Sequence, residues 1–301
     1  MRLMNARMRV LFAVALCLLL ALPGGIRSGR ARAQLPVIEL HRVAAASYFD
    51  PARVNPLFVL VMGSDVRSGD PRGGRADSLH IVAINTRTGA GTIVGIPRDS
   101  WVPIVGDGTQ KINASLVTGG PAAVVATVSR LSGIRFHYWA LTEFSHFRRL
   151  VDALGGLTVN VPYAMQDLPY SGANFPAGPR HMGGAEALAL ARNRHATPDG
   201  DFSRSENQGR ILLAALAKFR RDASNPLLLA KYIAAFRREV LSDVPASELL
   251  NLALVARTIN PAKVRNLVLP GSSAMIGSAS VVLLAPGAQD VFTRIRDNAT
   301  L

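Results

Sequence analysis

Apolar residues follow two different periods along this chain, one typical of strands and one typical of helices. Short apolar runs bounded by glycine, proline and polar residues predict strands at 57–62, 79–85, 91–97, 134–141, 157–161, 264–269 and 280–284. Apolar positions spaced three and four residues apart predict helices at 121–131, 143–154, 184–191, 208–221, 226–241, 247–259 and 289–296. Because strands and helices alternate, the pattern predicts an α/β sandwich.

The first 33 residues have the composition of an export signal. Residues 1–9 contain three arginines and no acidic residue, residues 10–22 are uninterruptedly apolar, and Ala31-Arg32-Ala33 precedes Gln34. A charged start, an apolar middle and a small-residue cleavage site form a secretory signal. The apolar run is shorter than the ~20 residues that cross a bilayer, but extending it through Ile26 leaves an uncleaved anchor open. We therefore predict a signal peptide or membrane anchor at 1–33, a connecting arm at 34–55 and one domain at 56–301.

The net charge narrows the range of partners. The chain has 34 basic and 20 acidic residues, a formal charge of +14, and removing the six arginines before Gln34 lowers it to about +8. A basic surface fits an anionic membrane face, an anionic polymer or nucleic acid, and export makes nucleic acid the least favoured of the three. The single cysteine, Cys17, lies in the apolar run, so the exported chain has no disulfide.

Charged clusters occur where the predicted elements end. They are Gly63-Ser-Asp65-Val-Arg67, Arg75-Ala-Asp77-Ser78, Pro97-Arg98-Asp99, Lys111-Ile-Asn113, Arg192-Asn-Arg194-His195 and Asp201-Phe-Ser-Arg204. Carboxylates hold divalent cations and guanidinium forks hold phosphate oxygens, so this alternation favours a phosphate diester bound with a divalent cation. Surface ion pairs are the alternative explanation, but their number at element ends favours a site. Arg192 and Arg194 would share a face if the backbone between them is extended.

Several common chemistries lack their motifs in this chain. There is no phosphate-binding GxxxxGK[ST] loop, no HExxH zinc helix, no GxSxG elbow and no GxGxxG turn. His80, His137, His146 and His181 are expected in the core or on the surface. His195 adjoins the arginine pair, which favours a structural or phosphate-donor role over that of a general base.

In this order, the clusters resemble the LytR-CpsA-Psr family over roughly residues 57–220. The resemblance implies a three-layer α-β-α sandwich with a mixed central sheet, in which residues 56–301 form a catalytic domain with a C-terminal α/β extension. It also implies an extracytoplasmic phosphotransferase, secreted or anchored to the outer face of the cytoplasmic membrane. Such enzymes transfer a glycopolymer phosphate from a polyprenyl-pyrophosphate lipid onto peptidoglycan with Mg²⁺ (or Mn²⁺), and nucleic acid is not a partner.

The resemblance also implies roles for individual residues. Asp65 and Asp77 would bind the metal, and Asp77, Asp201 and Arg98 would be catalytic. The substrate-binding residues would be Arg67, Arg75, Arg98, Lys111, Asn113, Arg192, Arg194, Arg204 and Gln208. Asn207 stands where the family usually has arginine, so one positive charge is missing. A carboxylate must accept the proton of the acceptor hydroxyl, and the sequence leaves both Asp77 and Asp201 open.

Three alternatives remain open at this stage. A non-catalytic binder of polyprenyl phosphate or anionic polymer would need the arginines without the carboxylates. A polyprenyl-pyrophosphate hydrolase would use the same residues with water as acceptor, and a DNA-binding regulator would conflict with the export signal. A lipid donor further predicts an apolar groove that ends at the charged cluster, with residues 121–131 and 212–229 as candidate walls.

Overall fold

The computed structural model describes residues 54–301, so the predicted signal or anchor and nearly all of the connecting arm lie outside the described residues. The strands are β1 Leu57–Ser64, β2 Ala76–Asn85, β3 Ala90–Gly95, β4 Trp101–Pro103, β5 Thr109–Lys111, β6 Tyr138–Thr142, β7 Leu157–Val161, β8 Met165–Asp167, β9 Ala173–Phe175, β10 Gly178–Met182, β11 Leu241–Ser242, β12 Val264–Val268, β13 Gly271–Ile276 and β14 Ala279–Leu284. The α-helices are α1 Ser115–Ser132, α2 Phe144–Ala153, α3 Gly184–Arg192, α4 Asp201–Asp222, α5 Pro226–Glu239, α6 Leu249–Thr258 and α7 Gly287–Asn298.

A central sheet of six strands organises the described chain, in the order β11-β6-β1-β2-β3-β12. The β1–β6 and β3–β12 pairs are parallel, and the β1–β2, β2–β3 and β6–β11 pairs are antiparallel. Helices α1 and α7 pack on one face, while α4 and α6 pack on the other. The predicted three-layer α-β-α sandwich with a mixed central sheet is confirmed.

The alternation of apolar side chains along β1 explains why both faces of the sheet are covered. Phe58, Leu60 and Met62 point into the core shared with α1 and α7, whereas Leu57 and Val59 join the core under α4 and α6. Side chains two residues apart on a strand lie on one face, so an unbroken apolar run needs helices on both sides. A third core lies between α3, α4 and the β7–β10 pair.

Helix α1 starts earlier than the sequence predicted and contains an interruption. Gly119 and Gly120 have non-helical backbone angles, Pro121 opens the second segment, and Gly133 (φ +67°) ends it. By length and composition alone, Ile112–Ser132 could cross a membrane, but half of its most apolar window is buried within the protein. It is a core helix of the sandwich.

Other boundaries also differ from the predictions. Helix α4 begins at Asp201, seven residues before the predicted start, because the polar turn from Ser203 to Asn207 is helical and largely buried. Strand β6 begins at Tyr138, and not at residue 134. Strand β13 and the short strands β4, β5, β8, β9, β10 and β11 were not predicted.

Candidate active site

Three strands deliver charged residues to one edge of the central sheet. Strand register places the end of β1 beside the start of β2, and His80 of β2 opposite Gly95 at the end of β3. Asp65 directly follows β1, Asp77 is the second residue of β2, and Arg98 lies three residues beyond β3. The clusters that the sequence separates are therefore brought together at this edge.

Arg98 is the centre of the charged cluster. Its guanidinium group contacts Asp77 at 2.6 Å, Asp201 at 3.7 Å and Asp99 at 3.8 Å. Asp99 in turn holds the ammonium group of Lys111 at 3.0 Å. One planar cation surrounded by three carboxylates fixes the relative positions of strand and helix residues.

The first turn of α4 adds a second ion pair to the cluster. A guanidinium nitrogen of Arg204 lies 2.5 Å from Oδ1 of Asp201, and the two side chains are 7% and 17% exposed. Burial raises the pKa of the Asp201 carboxyl, and the positive charges of Arg204 and Arg98 offset part of that rise. Both ion pairs of Asp201 involve Oδ1, and Oδ2 has no hydrogen-bond partner within residues 54–301. Asp201 is therefore suited to accept a proton from a ligand.

Helix α4 is joined directly to the sheet next to the cluster. Nε2 of His80 donates to the carbonyl oxygen of Ser205 at 3.0 Å, and Nδ1 accepts from the Ser78 hydroxyl at 3.1 Å. A Cβ atom at Gly95 would lie 2.3 Å from Oγ of Ser205 and 3.2 Å from Nε2 of His80, so a side chain there would displace the groups that join the helix to the sheet. The sequence indicated a core or surface role for His80, and the structure gives it a core role that ties the helix to β2.

The buried imidazole of His80 should make folding depend on pH. Burial lowers its pKa to about 4 from 6.5, and the bond to Ser205 opposes this shift. The unfolded chain thus binds a proton below pH 6.5 that the folded chain excludes until about pH 4. The contribution of His80 to the free energy of unfolding is therefore complete above pH 6.5. It decreases as the pH falls, and the loss is about 2 kcal/mol at pH 5. Urea unfolding at pH 7.5 and 5 should show a smaller pH effect for His80→Gln than for wild type, and equal effects would contradict the assignment.

The structure separates Arg192 from Arg194. Helix α3 ends at Arg192, Asn193 is extended, and the Arg192 guanidinium group lies 5.1 Å from the centre of the Phe144 ring. Arg192 borders an apolar cavity, whereas Arg194 borders a polar groove. The backbone is extended as expected, but the two side chains do not enter one cleft. Nε2 of Gln208 donates to the carbonyl of Ala191 at 3.0 Å and so joins α4 to the end of α3.

The remaining candidate residues are more peripheral. The Asp65 carboxylate accepts the backbone N–H of Arg75 at 2.8 Å, and the side chains of Asp65, Arg67 and Arg75 are exposed. Asn113 is buried, and its backbone N–H donates to the carbonyl of Arg98 at 3.1 Å. Asn113 therefore supports the segment that presents Arg98.

An apolar cavity of about 370 Å³ ends at the charged cluster. Its walls come from strands β1 and β6 and helices α2, α3 and α4, with one residue of α5; the large apolar side chains among them are Phe144, Phe147, Leu150, Ile211, Leu212 and Phe236. Asp77, Arg192, Arg204 and Gln208 close its polar end. The expected apolar groove is present, and residues of 212–229 do contribute to it. Residues 121–131 do not, because α1 packs on the opposite face of the sheet.

Sequence reasoning missed two residues of this region. Glu143 is fully buried beside the cavity, and its carboxylate caps α2 by accepting the backbone N–H groups of Ser145 and His146. Asp99 was seen only as part of a charged run, yet it links Lys111 to Arg98. The signal for Asp99 was present in the sequence, because it directly follows Arg98.

The structure is that of an α/β protein with a cluster of arginines and carboxylates at one edge of its central sheet, where an apolar cavity ends. The LytR_cpsA_psr family model matches residues 37–297, and the chain belongs to that family. The resemblance seen in the sequence is thereby confirmed.

Two curated relatives are teichoic acid transferases. The polyisoprenyl-teichoic acid–peptidoglycan teichoic acid transferase TagU of Bacillus subtilis (strain 168) is 39% identical over 165 residues, which cover 54% of this chain and 52% of TagU. TagU of Bacillus licheniformis is 38% identical over 165 residues, with the same coverage. The chain thus spans about half the length of the curated relatives it matches.

Solved structures of relatives share the fold. The crystal structure of B. subtilis TagU has 27% sequence identity and a TM-score of 0.62, covering 81% of this chain and 96% of that chain. The structure of TagT bound to LI-WTA has 23% identity and a TM-score of 0.69, covering 86% and 96% of the two chains. At that identity the second likeness supports the fold alone.

Proposed function

We propose that this chain is an extracytoplasmic transferase that moves a glycopolymer phosphate from a polyprenyl-pyrophosphate donor onto peptidoglycan. The observation that carries the proposal is the apolar cavity that ends at the cluster of Asp77, Arg98, Asp201 and Arg204. A polyprenyl-pyrophosphate donor matches this arrangement, because its apolar tail can occupy the cavity while its pyrophosphate head lies at the charged cluster. The activity in the name of the TagU relatives agrees with this reading.

The arginines of the cluster suit the pyrophosphate. Arg204 and Arg192 border the polar end of the cavity, where the head group of a seated lipid would lie. A guanidinium fork can bind two phosphate oxygens at once, which orients the group as well as neutralising it. Arg98 and Arg204 both contact Asp201, and Arg98 is also held in place by Asp77. Arg98 and Arg204 thus stabilise the negative charge that develops on the departing lipid phosphate.

Magnesium or manganese fits the carboxylates at this edge. Among residues 54–301, no three His, Cys, Asp or Glu side chains form a metal-binding group. Mg²⁺ is commonly bound by one or two carboxylates together with substrate phosphates and water, so a complete protein cage is not required. Asp65 and Asp77 flank the Ser64–Ala76 pair at the end of the β1–β2 ladder. These two residues would hold the ion, which would supply charge neutralisation for the pyrophosphate.

Asp201 is the proposed general base of the two that the sequence left open. Oδ1 of Asp77 is bound by Arg98 at 2.6 Å. Asp201 pairs with Arg204 and Arg98 through Oδ1 alone, and its Oδ2 has no hydrogen-bond partner within residues 54–301. The acceptor hydroxyl oxygen forms a bond to the phosphorus that carries the glycopolymer, and its proton passes to Asp201. The bond from that phosphorus to the bridging oxygen breaks, which releases polyprenyl phosphate. Positioning and charge stabilisation suffice for such a transfer.

Reconstitution of the reaction tests the proposed function. The full chain in detergent would be incubated with synthetic polyprenyl-pyrophosphate-linked glycopolymers and peptidoglycan fragments, with Mg²⁺, with Mn²⁺ or with excess chelator. We expect metal-dependent formation of glycopolymer–peptidoglycan and release of polyprenyl phosphate. Release of the lipid product without transfer would establish a hydrolase instead. Donor binding without any turnover would establish a non-catalytic binder.

Filling the apolar cavity should selectively weaken binding of long-chain donors. Ala215 lines the cavity on α4, and tryptophan there would occupy the space of the lipid tail. Because each buried methylene group contributes about 0.8 kcal/mol, loss of two or more should raise the donor KM at least about tenfold. Ala217→Trp is the matched control, since Ala217 is exposed on the same helix and does not line the cavity. An equal KM for both variants, with thermal unfolding showing both folded, would contradict lipid binding in this cavity.

A further inference from the structure

A polar groove of about 840 Å³ adjoins the charged cluster beside the apolar cavity. Its walls are the segment from Arg194 to Phe202, which precedes and opens α4, and the β13–β14 hairpin. The groove includes Asp99 and Asp201, both of which belong to the cluster around Arg98. The apolar cavity and the polar groove share no lining residue, yet each reaches that cluster. Two ligands of different polarity can therefore meet there.

The side chains of the groove suit a sugar chain. Hydroxyl groups come from Ser272, Ser273 and Ser280, which are exposed on the hairpin. The Phe202 ring lines the groove near Asp201, and the His195 ring packs on Tyr170 with 4.2 Å between ring centres. Hydroxyl groups can both donate and accept hydrogen bonds, and rings with an apolar face and a polar edge can cover the flat face of a sugar.

The charges of the groove are nearly balanced. Asp99, Asp199 and Asp201 contribute carboxylates, while Arg194 is the permanent cation among its lining residues. Lys111 and Arg98 neutralise Asp99 from the cluster side. Asp201 is likewise paired with Arg204 and Arg98, which leaves Asp199 and Arg194, one charge of each sign. The groove therefore has no excess of positive charge to attract a phosphate-rich chain, and it suits uncharged sugar units.

The in-line geometry of phosphoryl transfer relates the apolar cavity to the leaving group and the polar groove to the attacking group. The attacking and leaving oxygens of a transferred phosphoryl group lie roughly in line on opposite sides of the phosphorus. A donor whose lipid tail occupies the apolar cavity places its leaving oxygen on that side of the cluster. The attacking hydroxyl then enters from the polar side, next to Asp201. We propose that this groove binds the acceptor, a glycan strand of peptidoglycan, with a free hydroxyl directed at Asp201; this assignment rests on the proposed function.

A bulky residue in the groove tests the assignment. Ser273→Trp would fill the groove, and Ser278→Trp is its matched control, because Ser278 is exposed in the same hairpin outside the groove. Transfer would be measured against the concentration of soluble peptidoglycan fragments, and in a second series against the concentration of the lipid-linked donor. We expect Ser273→Trp to raise the acceptor KM at least about tenfold, a loss of about 1.4 kcal/mol. Its donor KM should stay within about twofold of wild type, because the donor occupies the apolar cavity.

Direct binding separates failure of this inference from failure of the proposed function. Peptidoglycan fragments would be titrated into the full-length wild type and both variants by calorimetry, after thermal unfolding has shown that all three are folded. Fragment binding that is lost only in Ser273→Trp supports the groove, even if no transfer is found. Equal fragment binding and equal acceptor KM in the two variants would overturn the inference, even if transfer is robust. Impaired donor binding by Ser273→Trp alone would also overturn it, because the groove would then hold the donor polymer.

Discussion

The Asp201→Asn variant is expected to transfer glycopolymer about 10²–10⁴-fold more slowly than wild type, the range typical for loss of a general base. Asparagine keeps the size of the side chain but cannot take up the acceptor proton. Because burial raises the pKa of Asp201, the wild-type rate should fall on the acid side as this carboxyl becomes protonated, and the variant should lack that step. Single-turnover kinetics between pH 4.5 and 8 would measure both effects.

The matched control for this experiment is Asp290→Asn. Asp290 lies in the first turn of α7, just as Asp201 lies in the first turn of α4. Unlike Asp201, Asp290 is exposed, is far from the cluster in sequence, and lines neither the apolar cavity nor the polar groove. It should transfer at the wild-type rate. If Asp201→Asn keeps the wild-type rate and pH profile, Asp201 is not the base and the assignment is wrong.

The second large effect is expected from Arg98→Lys. Lysine keeps the positive charge but presents a single ammonium group, whereas the guanidinium group reaches Asp77, Asp99 and Asp201 from one plane. Misplacing these carboxylates and losing a two-point contact to phosphate should lower kcat by about 10²–10³-fold, as for loss of one pre-organised donor. Rapid-quench measurement of product formation at saturating donor would isolate this step.

Arg237→Lys provides the reference, since Arg237 is exposed near the end of α5 and lines neither cavity. We expect its kcat to be unchanged. Retention of the wild-type kcat by Arg98→Lys would show that charge alone is needed at this position. Rescue of the rate by added guanidinium would support the planar contact.

The sequence predicted the layered fold because the relevant signals are local. Unbroken apolar runs such as β1 are explained by burial on both faces, and the charged residues beside them mark the ends of the strands. Asp65, Asp77 and Arg98 could therefore be assigned to one region before the strand order was known. Their roles as ligands of substrate and metal stay predictions that the variants described above can test.

The features that escaped prediction depend on contacts between distant segments. The first turn of α4 contains Ser203, Arg204 and Ser205, a polar run without apolar period, and it is buried through ion pairs and the bond to His80. The residues of strand β13 are mostly exposed, so its sequence lacks the run of apolar residues from which a strand is predicted. For the same reason the polar groove that β13 borders could not be inferred from the sequence.

The size of the apolar cavity limits how much of a lipid it can enclose. An apolar protein cavity of about 150 Å³ accommodates benzene, so one of about 370 Å³ has room for roughly fifteen carbon atoms, or about three isoprene units. On the proposed function, a longer polyprenyl chain would extend beyond this cavity. Its remaining units have no apolar surroundings except the bilayer itself. On the proposed function, the mouth through which the tail leaves would therefore rest against the membrane during turnover.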